Sequence, residues 1–290
     1  MSANAIEIRG LEKAFPAFAL GPLDLTVPAG AIYGFVGPNG AGKTTTIDLI
    51  FGMGAKSDGS IRVLGLDHIK DEVAMKRQVG YVSPELNYQP WAKVGRAIQF
   101  VRGFYPTWDE AYCQQLMDTF QLDRGQRIMT LSFGAKIKLA LLLALAWRPK
   151  LLVLDEPTVG LDAISKQQVF GELLAAVRNE DRTVFISSHG ITDLERFADH
   201  VGMIKNGRMV FEGEIGEVVD RYRLADFEAD DVATIAEQPG VFVQQEQGRR
   251  LRVLLDLQRA SVDGLRSRGA LQIADAPVSL EDLFIALGRR

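Results

Sequence analysis

Residues 37–44, with the sequence GPNGAGKT, have the composition and spacing of a loop that binds nucleotide phosphates. Glycines in such a loop let successive backbone N–H groups turn toward an anion, and the helix that follows adds partial positive charge. Lys43 is placed to reach the β- and γ-phosphates, and the Thr44 hydroxyl is placed to bind Mg²⁺. The residues that we expect around the phosphates are Gly37, Pro38, Asn39, Gly40, Ala41, Gly42, Lys43, Thr44 and Thr45.

Two adjacent carboxylates, Asp155 and Glu156, follow the apolar run LLVL at 151–154. Neighbouring strand residues point in opposite directions, so the two carboxylates can perform different tasks. Asp155 suits a Mg²⁺ site through water, and Glu156 could polarise an attacking water, a role worth roughly 10²–10⁴-fold in rate. Carboxylates at strand ends are often only solvated caps, but the phosphate loop favours the catalytic interpretation. Together these residues predict a P-loop NTPase that uses ATP and Mg²⁺.

The elements that must position these residues are short buried strands alternating with helices. The predicted strands are AIYGFV at 31–36, QVGYV at 78–82, LLVLDE at 151–156 and TVFISSH at 183–189. A helix is predicted from Lys43 to Phe51, directly after the phosphate loop. Because ligands gather at the carboxyl ends of parallel strands, this pattern predicts an α/β domain with its site at that edge.

Three further motifs stand in a fixed order around the carboxylate pair. LSFGA at 131–135 precedes it and is, by itself, an ordinary helix start with Ser132 as the N-cap. VGLD at 159–162 follows it, and SSH at 187–189 ends the next predicted strand. The order of phosphate loop, signature, second carboxylate motif, D-loop and switch histidine resembles the ABC ATPase family, over about residues 6–213.

The resemblance implies a cassette of two lobes that dimerises head to tail and buries ATP at the interface. Ser132 and the backbone of Gly134 would contact the γ-phosphate held by the partner cassette, at a helix N-terminus that favours anions. Asp162 would cross the interface, and His189 would hydrogen-bond the γ-phosphate and position the attacking water. Phe15 matches the aromatic residue that stacks on adenine, with a core phenylalanine as the alternative interpretation.

The signature departs from the usual LSGGQ of the family. Phe133 and Ala135 replace a glycine and the glutamine, whereas Ser132 and Gly134 remain. The form LSFGAKIKLAL, with GFYPTWD upstream at 103–109, is similar to a bacterial subfamily whose permeases are separate polypeptides.

A second departure follows the strand QVGYV, where the family places a glutamine that ligands Mg²⁺ and senses the membrane partner. Ungapped alignment puts Pro84 in that position, and proline has neither a side-chain ligand nor an N–H. We expect the neighbouring Glu85 to take over as the metal ligand, since a carboxylate is a hard oxygen donor for Mg²⁺. The alternative is that Glu85 is loop surface.

The predicted fold is a P-loop ABC cassette with a mixed sheet core and an inserted helical subdomain, followed by a small α+β extension. The ABC ATPase domain is placed at 1–222, with the helical subdomain at about 89–147, and the C-terminal domain at 223–290. In the last segment, Ser279 and Asp282 resemble a helix-capping pair. Aromatic residues of the helical subdomain are predicted to pack inside it, with a partner groove as the alternative: Phe100, Phe104, Tyr105, Trp108 and Tyr112.

Composition narrows the range of partners and compartments. A net charge of −4 and a pI near 5.5 argue against nucleic acid, because binding its phosphate backbone needs clustered Lys and Arg. The single cysteine, Cys113, cannot form an internal disulfide, which fits a reducing compartment. The apolar stretch at 139–147 is shorter than the roughly 20 residues needed to cross a bilayer. We expect a cytoplasmic protein, peripheral on the inner face of the cell membrane through a permease partner.

The functional prediction is an ATPase subunit that powers transport through separate membrane subunits, with Lys43, Glu156 and His189 as catalytic residues. The resemblance to the subfamily favours export over import. The expected partners are membrane permease subunits and a second copy or a paralogous ATPase subunit. Two alternatives stay open, a non-transport ABC ATPase and a catalytically weak regulatory one. The second is suggested by the altered signature and by the missing glutamine.

Overall fold

The computed structural model describes residues 4–84, 89–180 and 182–288. The chain forms two compact units. The first comprises Met1–His189 and Phe197–Met209, and the second comprises Gly190–Arg196 and Val210–Arg290. The predicted boundary between 222 and 223 stays a prediction.

The described strands form three sheets. In chain order they are β1 (Asn4–Phe15), β2 (Phe18–Pro28), β3 (Ile32–Val36), β4 (Asp58–Val63), β5 (Leu66–Asp67), β6 (Val79–Val82), β7 (Leu151–Leu154), β8 (Thr183–Ser188), β9 (His200–Lys205), β10 (Arg208–Glu214), β11 (Tyr222–Glu228), β12 (Val241–Gln247), β13 (Arg250–Asp256) and β14 (Leu271–Ala276).

The described helices range from single turns to the long α6. In chain order they are α1 (Lys43–Ile50), α2 (Glu72–Lys76), α3 (Val94–Arg102), α4 (Glu110–Phe120), α5 (Phe133–Leu145), α6 (Ala163–Glu180), α7 (Ile191–Leu194), α8 (Ile215–Arg221), α9 (Val232–Ala236), α10 (Val262–Arg266) and α11 (Leu280–Gly288). Among the described helices, none combines the length and the apolar character that a membrane span requires.

The first unit contains an antiparallel sheet in the order β2-β1-β4-β5. Its central strand β1 alternates buried apolar and more exposed polar residues, with Ile6, Ile8 and Leu11 fully buried. This period-2 pattern gives the sheet one face for the core, which packs against the phosphate-loop helix α1 through the same apolar cluster.

The second sheet, in the order β10-β9-β3-β8-β7-β6, carries the predicted site. Its strands β3, β8 and β7 pair in parallel and are buried at every residue. Continuous apolar runs are typical of strands that are covered on both faces. The predicted strands and the helix after the phosphate loop are confirmed to within one or two residues at each end.

The segment predicted as a helical subdomain, 89–147, contains α3, α4 and α5. Helix α5 begins where Ser132 accepts a hydrogen bond from the N–H of Ala135 at 3.1 Å, so the predicted N-cap is confirmed. Tyr112 is buried here, as a packing residue should be, whereas Phe100 and Phe104 are exposed.

Within the second unit, residues 222–276 have the element order β11-α9-β12-β13-α10-β14. Its antiparallel sheet has the strand order β12-β13-β11-β14, which is the βαββαβ arrangement of ferredoxin-like folds. A separate apolar core lies under the sheet and includes Phe227, Ile235 and Val253. The buried Asp256 accepts two hydrogen bonds from the Arg221 guanidinium, which lowers the pKa of the carboxyl group.

The last helix, α11, is held at its N-terminus by side chains from two parts of the second unit. Asp282 accepts a hydrogen bond from the N–H of Ser279 at 3.0 Å, and the Ser279 hydroxyl accepts one from the N–H of Asp282 at 3.1 Å. The predicted capping pair is thereby confirmed. Glu195, just after α7, accepts a hydrogen bond from the N–H of Leu280 at 3.0 Å.

Replacing Ser279 with alanine should therefore lower the free energy of unfolding by about 1 kcal/mol, because a cap hydroxyl is lost from α11. Chemical denaturation followed by circular dichroism measures this change. Ser279→Thr, which keeps a hydroxyl at the cap, is the matched control and should cost clearly less. Equal stability of the alanine variant and the unmodified protein would contradict a stabilising role for the cap.

Candidate functional site

The phosphate loop runs from the end of β3 into α1, as the sequence predicts. At its last glycine, Gly42, the backbone is left-handed with φ of 110°, and the next residue begins the helix. Gly37 is required by space: a Cβ added there would lie 2.3 Å from the carbonyl oxygen of Ile204 on β9. The loop is therefore pressed against the sheet, with its helix N-terminus directed at the site where phosphate would bind.

Lys43 is the first residue of α1, and only 6% of its side chain is exposed. Its ammonium group donates to the carbonyl oxygens of Gly37 at 2.7 Å and Pro38 at 3.3 Å. It also lies 3.3 Å from Oε1 of Glu156. Since a buried cation needs partners, these three oxygens fix the ammonium at the mouth of the loop.

Thr44 and Asp155 meet across the gap between α1 and β7. The Thr44 hydroxyl donates to Oδ2 of Asp155 at 2.9 Å, and Asp155 is buried. Both are hard oxygen ligands, and Mg²⁺ at nucleotide sites typically takes one or two protein ligands together with phosphate oxygens and waters. The pair that the sequence predicts to hold Mg²⁺ therefore fits that metal.

Glu156 turns away from Asp155 and toward His189. Its backbone has a φ of 48°, which is unusual for a residue other than glycine. Nδ1 of His189 lies 2.8 Å from Oε2 of Glu156, while the other carboxylate oxygen contacts Lys43. The three residues predicted to be catalytic, Lys43, Glu156 and His189, are thus brought together.

Ser187 is a site residue that sequence reasoning missed. Its hydroxyl donates to Oδ1 of Asp155 at 2.5 Å and accepts from the N–H of Glu156 at 3.0 Å. The signal was present in the sequence, because SSH places polar residues inside an otherwise apolar strand, where hydroxyls need partners.

A cavity of about 1030 Å³ opens above these residues. Its lining includes Phe15, Pro16, Ala17, Phe18, Asn39, Gly40, Gly42, Lys43, Thr44, Thr45, Pro84, Glu156, Val159 and His189. Phe15 is 42% exposed and lines the cavity, so it is not a core phenylalanine. Pro84, at the position of the family glutamine, lines the same cavity, whereas Glu85 lies outside the described residues.

Ser132, Gly134 and Asp162 are not among the described residues that line this cavity. Asp162 precedes α6 and accepts hydrogen bonds from the N–H of Ser165 at 2.8 Å and from its hydroxyl at 2.9 Å. These bonds lower the pKa of the Asp162 carboxyl group. Within this chain, Asp162 therefore acts as a helix cap.

The signature and the D-loop touch within the chain. A Cβ added at Gly160, where φ is 70°, would lie 2.8 Å from the ring of Phe133. A Cβ added at Gly134 would lie 3.0 Å from the side chain of Leu161. The two motifs are therefore packed tightly enough that a shift of one must displace the other.

Comparison with known protein families and sequences gives consistent results. The family described as ABC transporter matches residues 20–159. The daunorubicin/doxorubicin resistance ATP-binding protein DrrA of Streptomyces peucetius is 30% identical over 98% of this chain and 92% of its own length. The Nod factor export ATP-binding protein I of Burkholderia lata is 30% identical over 100% of this chain and 99% of its own. The ABC transporter ATP-binding protein YtrB of Bacillus subtilis is 29% identical over 97% of each chain.

Solved structures show the same fold at lower sequence identity. An ATP-binding subunit of an ABC transporter aligns with a TM-score of 0.68 and 24% identity, covering 74% of this chain and 92% of its own. A dimeric ATP-binding cassette in a post-hydrolysis state, bound to ADP and Pi, aligns with a TM-score of 0.63 and 18% identity. The alignment covers 72% of this chain and 98% of that cassette.

Replacing Gly37 with alanine should abolish nucleotide binding, because the new methyl group would collide with the backbone of β9 and displace the phosphate loop. Titration with a fluorescent ATP analogue measures the affinity. Gly171→Ala is the matched control: a Cβ there meets nothing within 4 Å, and alanine favours a helix by up to about 1 kcal/mol over glycine. A Gly37→Ala variant with unchanged affinity would refute the steric requirement.

Proposed function

The chain belongs to the family of ABC transporter ATP-binding proteins, and we propose that it drives export through separate membrane permease subunits. It is an ATPase subunit whose hydrolysis of ATP, with Mg²⁺, is coupled to transport. Export is proposed because relatives spanning almost the whole chain are named for drug resistance and for Nod factor export. The observation that supports hydrolysis best is the contact of Glu156 with both Lys43 and His189.

We assign the roles of the site residues from this geometry. Lys43 binds the β- and γ-phosphates, and Thr44 and Asp155 hold Mg²⁺, with Asp155 acting through water. Glu156 orients and deprotonates the attacking water, and His189 contacts the γ-phosphate. Phe15, as the exposed aromatic residue at the rim of the cavity, stacks on adenine.

The remaining motif residues act from a second cassette. ABC ATPase relatives dimerise, and Ser132 and Gly134 lie at the N-terminus of α5, where backbone N–H groups favour an anion. We propose that these two residues contact the γ-phosphate held by the partner, and that Asp162 reaches across from the same interface. Because these contacts exist only when two cassettes close, they would let ATP stabilise the closed dimer. The partner is a second copy or a paralogous subunit.

The surface proposed to meet the permease is an aromatic ridge formed by Trp91, Phe100 and Phe104. Successive ring centroids are 5.0 Å apart, and Phe100 and Phe104 are 48% and 63% exposed. A cavity of about 350 Å³ is lined in part by Val101 and Tyr105, which directly follow Phe100 and Phe104 in the chain, and by Trp147. Exposed aromatic groups beside an apolar cavity are typical of an interface that a partner helix fills.

A catalytically weak regulator is the second candidate, since the signature is altered and Pro84 stands where the family has glutamine. The retained contacts of Lys43, Asp155, Glu156 and His189 favour an active enzyme instead. Phosphate release by the purified protein, with and without Mg²⁺, separates the two possibilities. The proposed role of Glu85 as a Mg²⁺ ligand stays a prediction.

Glu156→Gln should abolish turnover while preserving ATP binding, since the amide keeps the shape of the side chain but cannot accept the proton from water. The expected loss in kcat is about 10²–10⁴-fold. Coupled phosphate-release assays measure turnover, and size-exclusion chromatography with Mg-ATP should show accumulation of a dimer. Glu217→Gln, at an exposed glutamate of α8, is the matched control. Near-normal hydrolysis by Glu156→Gln would remove Glu156 from its assigned role.

Removing the aromatic ridge with Phe100→Ala and Phe104→Ala together should reduce association with the permease by at least about tenfold, since interface aromatics carry much of the binding energy. The permease is first identified by its co-purification with the unmodified protein from detergent-solubilised membranes, and then titrated against each variant. Basal ATPase activity should not change. Ile285→Ala, at a half-exposed residue of α11, is the control, and equal binding by the ridge variant would rule this surface out.

A further inference from the structure

The backbone of Glu156 has a conformation that its side chain disfavours. Its φ of 48° lies in the left-handed region, where residues with a Cβ are uncommon. Such a conformation persists only when surrounding contacts hold it. In ordinary strand geometry, Glu156 would continue the direction of β7, and its carboxylate would not take its present place between Lys43 and His189.

A single hydroxyl on the neighbouring strand provides such a contact. Ser187, which is fully buried on β8, accepts a hydrogen bond from the N–H of Glu156 at 3.0 Å. Because β7 and β8 pair in parallel, with Leu154 opposite Ile186, the serine lies beside the point where the chain leaves β7. The bond holds the peptide unit between Asp155 and Glu156, at which the left-handed turn begins.

The same hydroxyl also fixes the metal-binding carboxylate. It donates to Oδ1 of Asp155 at 2.5 Å, while Oδ2 of Asp155 accepts from the Thr44 hydroxyl at 2.9 Å. Ser187 therefore uses its one proton on Asp155 and one lone pair on Glu156. Asp155 is held from both sides, and one side-chain oxygen joins its carboxylate to the backbone of Glu156.

We propose that Ser187 is a positioning residue for hydrolysis. Its hydroxyl holds the carboxylate of Asp155 and the backbone of Glu156 in fixed positions relative to each other. This inference rests on the proposed roles of Asp155 and Glu156. Its consequence is that Ser187 influences turnover and Mg²⁺ dependence without touching nucleotide.

The same strand offers a matched control. The hydroxyl of Thr183, at the opposite end of β8, is also buried and accepts a hydrogen bond from the N–H of Gly30 at 2.9 Å. Thr183→Val removes a buried hydrogen bond from the same strand, far from the carboxylates. It therefore reports the general cost of such a loss.

The experiment compares Ser187→Ala, Ser187→Thr and Thr183→Val in the full chain. We expect Ser187→Ala to lower kcat by about tenfold or more and to raise the Mg²⁺ concentration for half-maximal rate several-fold. Its affinity for a fluorescent ATP analogue without Mg²⁺ should stay within about twofold, since the phosphate loop is unchanged. Ser187→Thr, which keeps the hydroxyl, should restore most of the rate. Thr183→Val should keep kcat within about twofold even where its melting temperature falls as much as that of Ser187→Ala.

The proposal is overturned if folded Ser187→Ala keeps the kcat and Mg²⁺ dependence of the unmodified protein. It is also overturned if Thr183→Val lowers kcat by as large a factor as Ser187→Ala does. If Ser187→Ala does not fold, the same measurements are made on Ser187→Cys, whose thiol is similar in size to the hydroxyl but is a weaker hydrogen-bond donor. Glu156→Gln is assayed in parallel. Near-normal turnover by Glu156→Gln would refute the role of Glu156, whereas the Mg²⁺ dependence of Ser187→Ala would still test the role of Ser187 toward Asp155.

Discussion

The parallel register of β3, β8 and β7 is the constraint on which the site depends. Val36 pairs with Ser188, and Leu154 pairs with Ile186, so the three strands end at nearly the same level. The residues that follow these ends are the phosphate loop, the carboxylate pair and the switch histidine. A change of register by one residue would exchange the faces on which side chains lie and separate these groups. Close packing of the buried side chains on both faces of these strands makes such a change unfavourable.

Charge is the second requirement, because the largely buried side chains of a lysine, an aspartate and a glutamate converge beside the cavity. Lys43 is stabilised by two loop carbonyl groups and by Glu156, and Asp155 by two hydroxyl groups. Each ionised group therefore has partners, as buried charges require. A phosphate that binds Lys43 would compete with Glu156 for the same ammonium, which links nucleotide binding to the position of the carboxylate that we propose as the general base.

The motifs that do not join this cavity are organised for a different surface. Ser132 caps α5, Asp162 caps α6, and the ring of Phe133 packs on Gly160. The departure of the signature from LSGGQ is thus accommodated next to a glycine that leaves room for an aromatic ring. Contact between signature and D-loop couples the two motifs that we propose to face a second cassette.

The sequence by itself determined the phosphate loop, the carboxylate pair, the switch histidine, the strands beneath them and the caps at Ser132 and Ser279. These follow from local rules, since hydrophobic periodicity and the spacing of glycines act within a few residues along the chain. Tertiary structure alone decided that Ser187 joins Asp155 to Glu156, that Glu156 is left-handed, and that Phe133 packs on Gly160. Each of these depends on residues that lie tens of positions apart and meet only through strand pairing or packing, and no local pattern encodes such contacts.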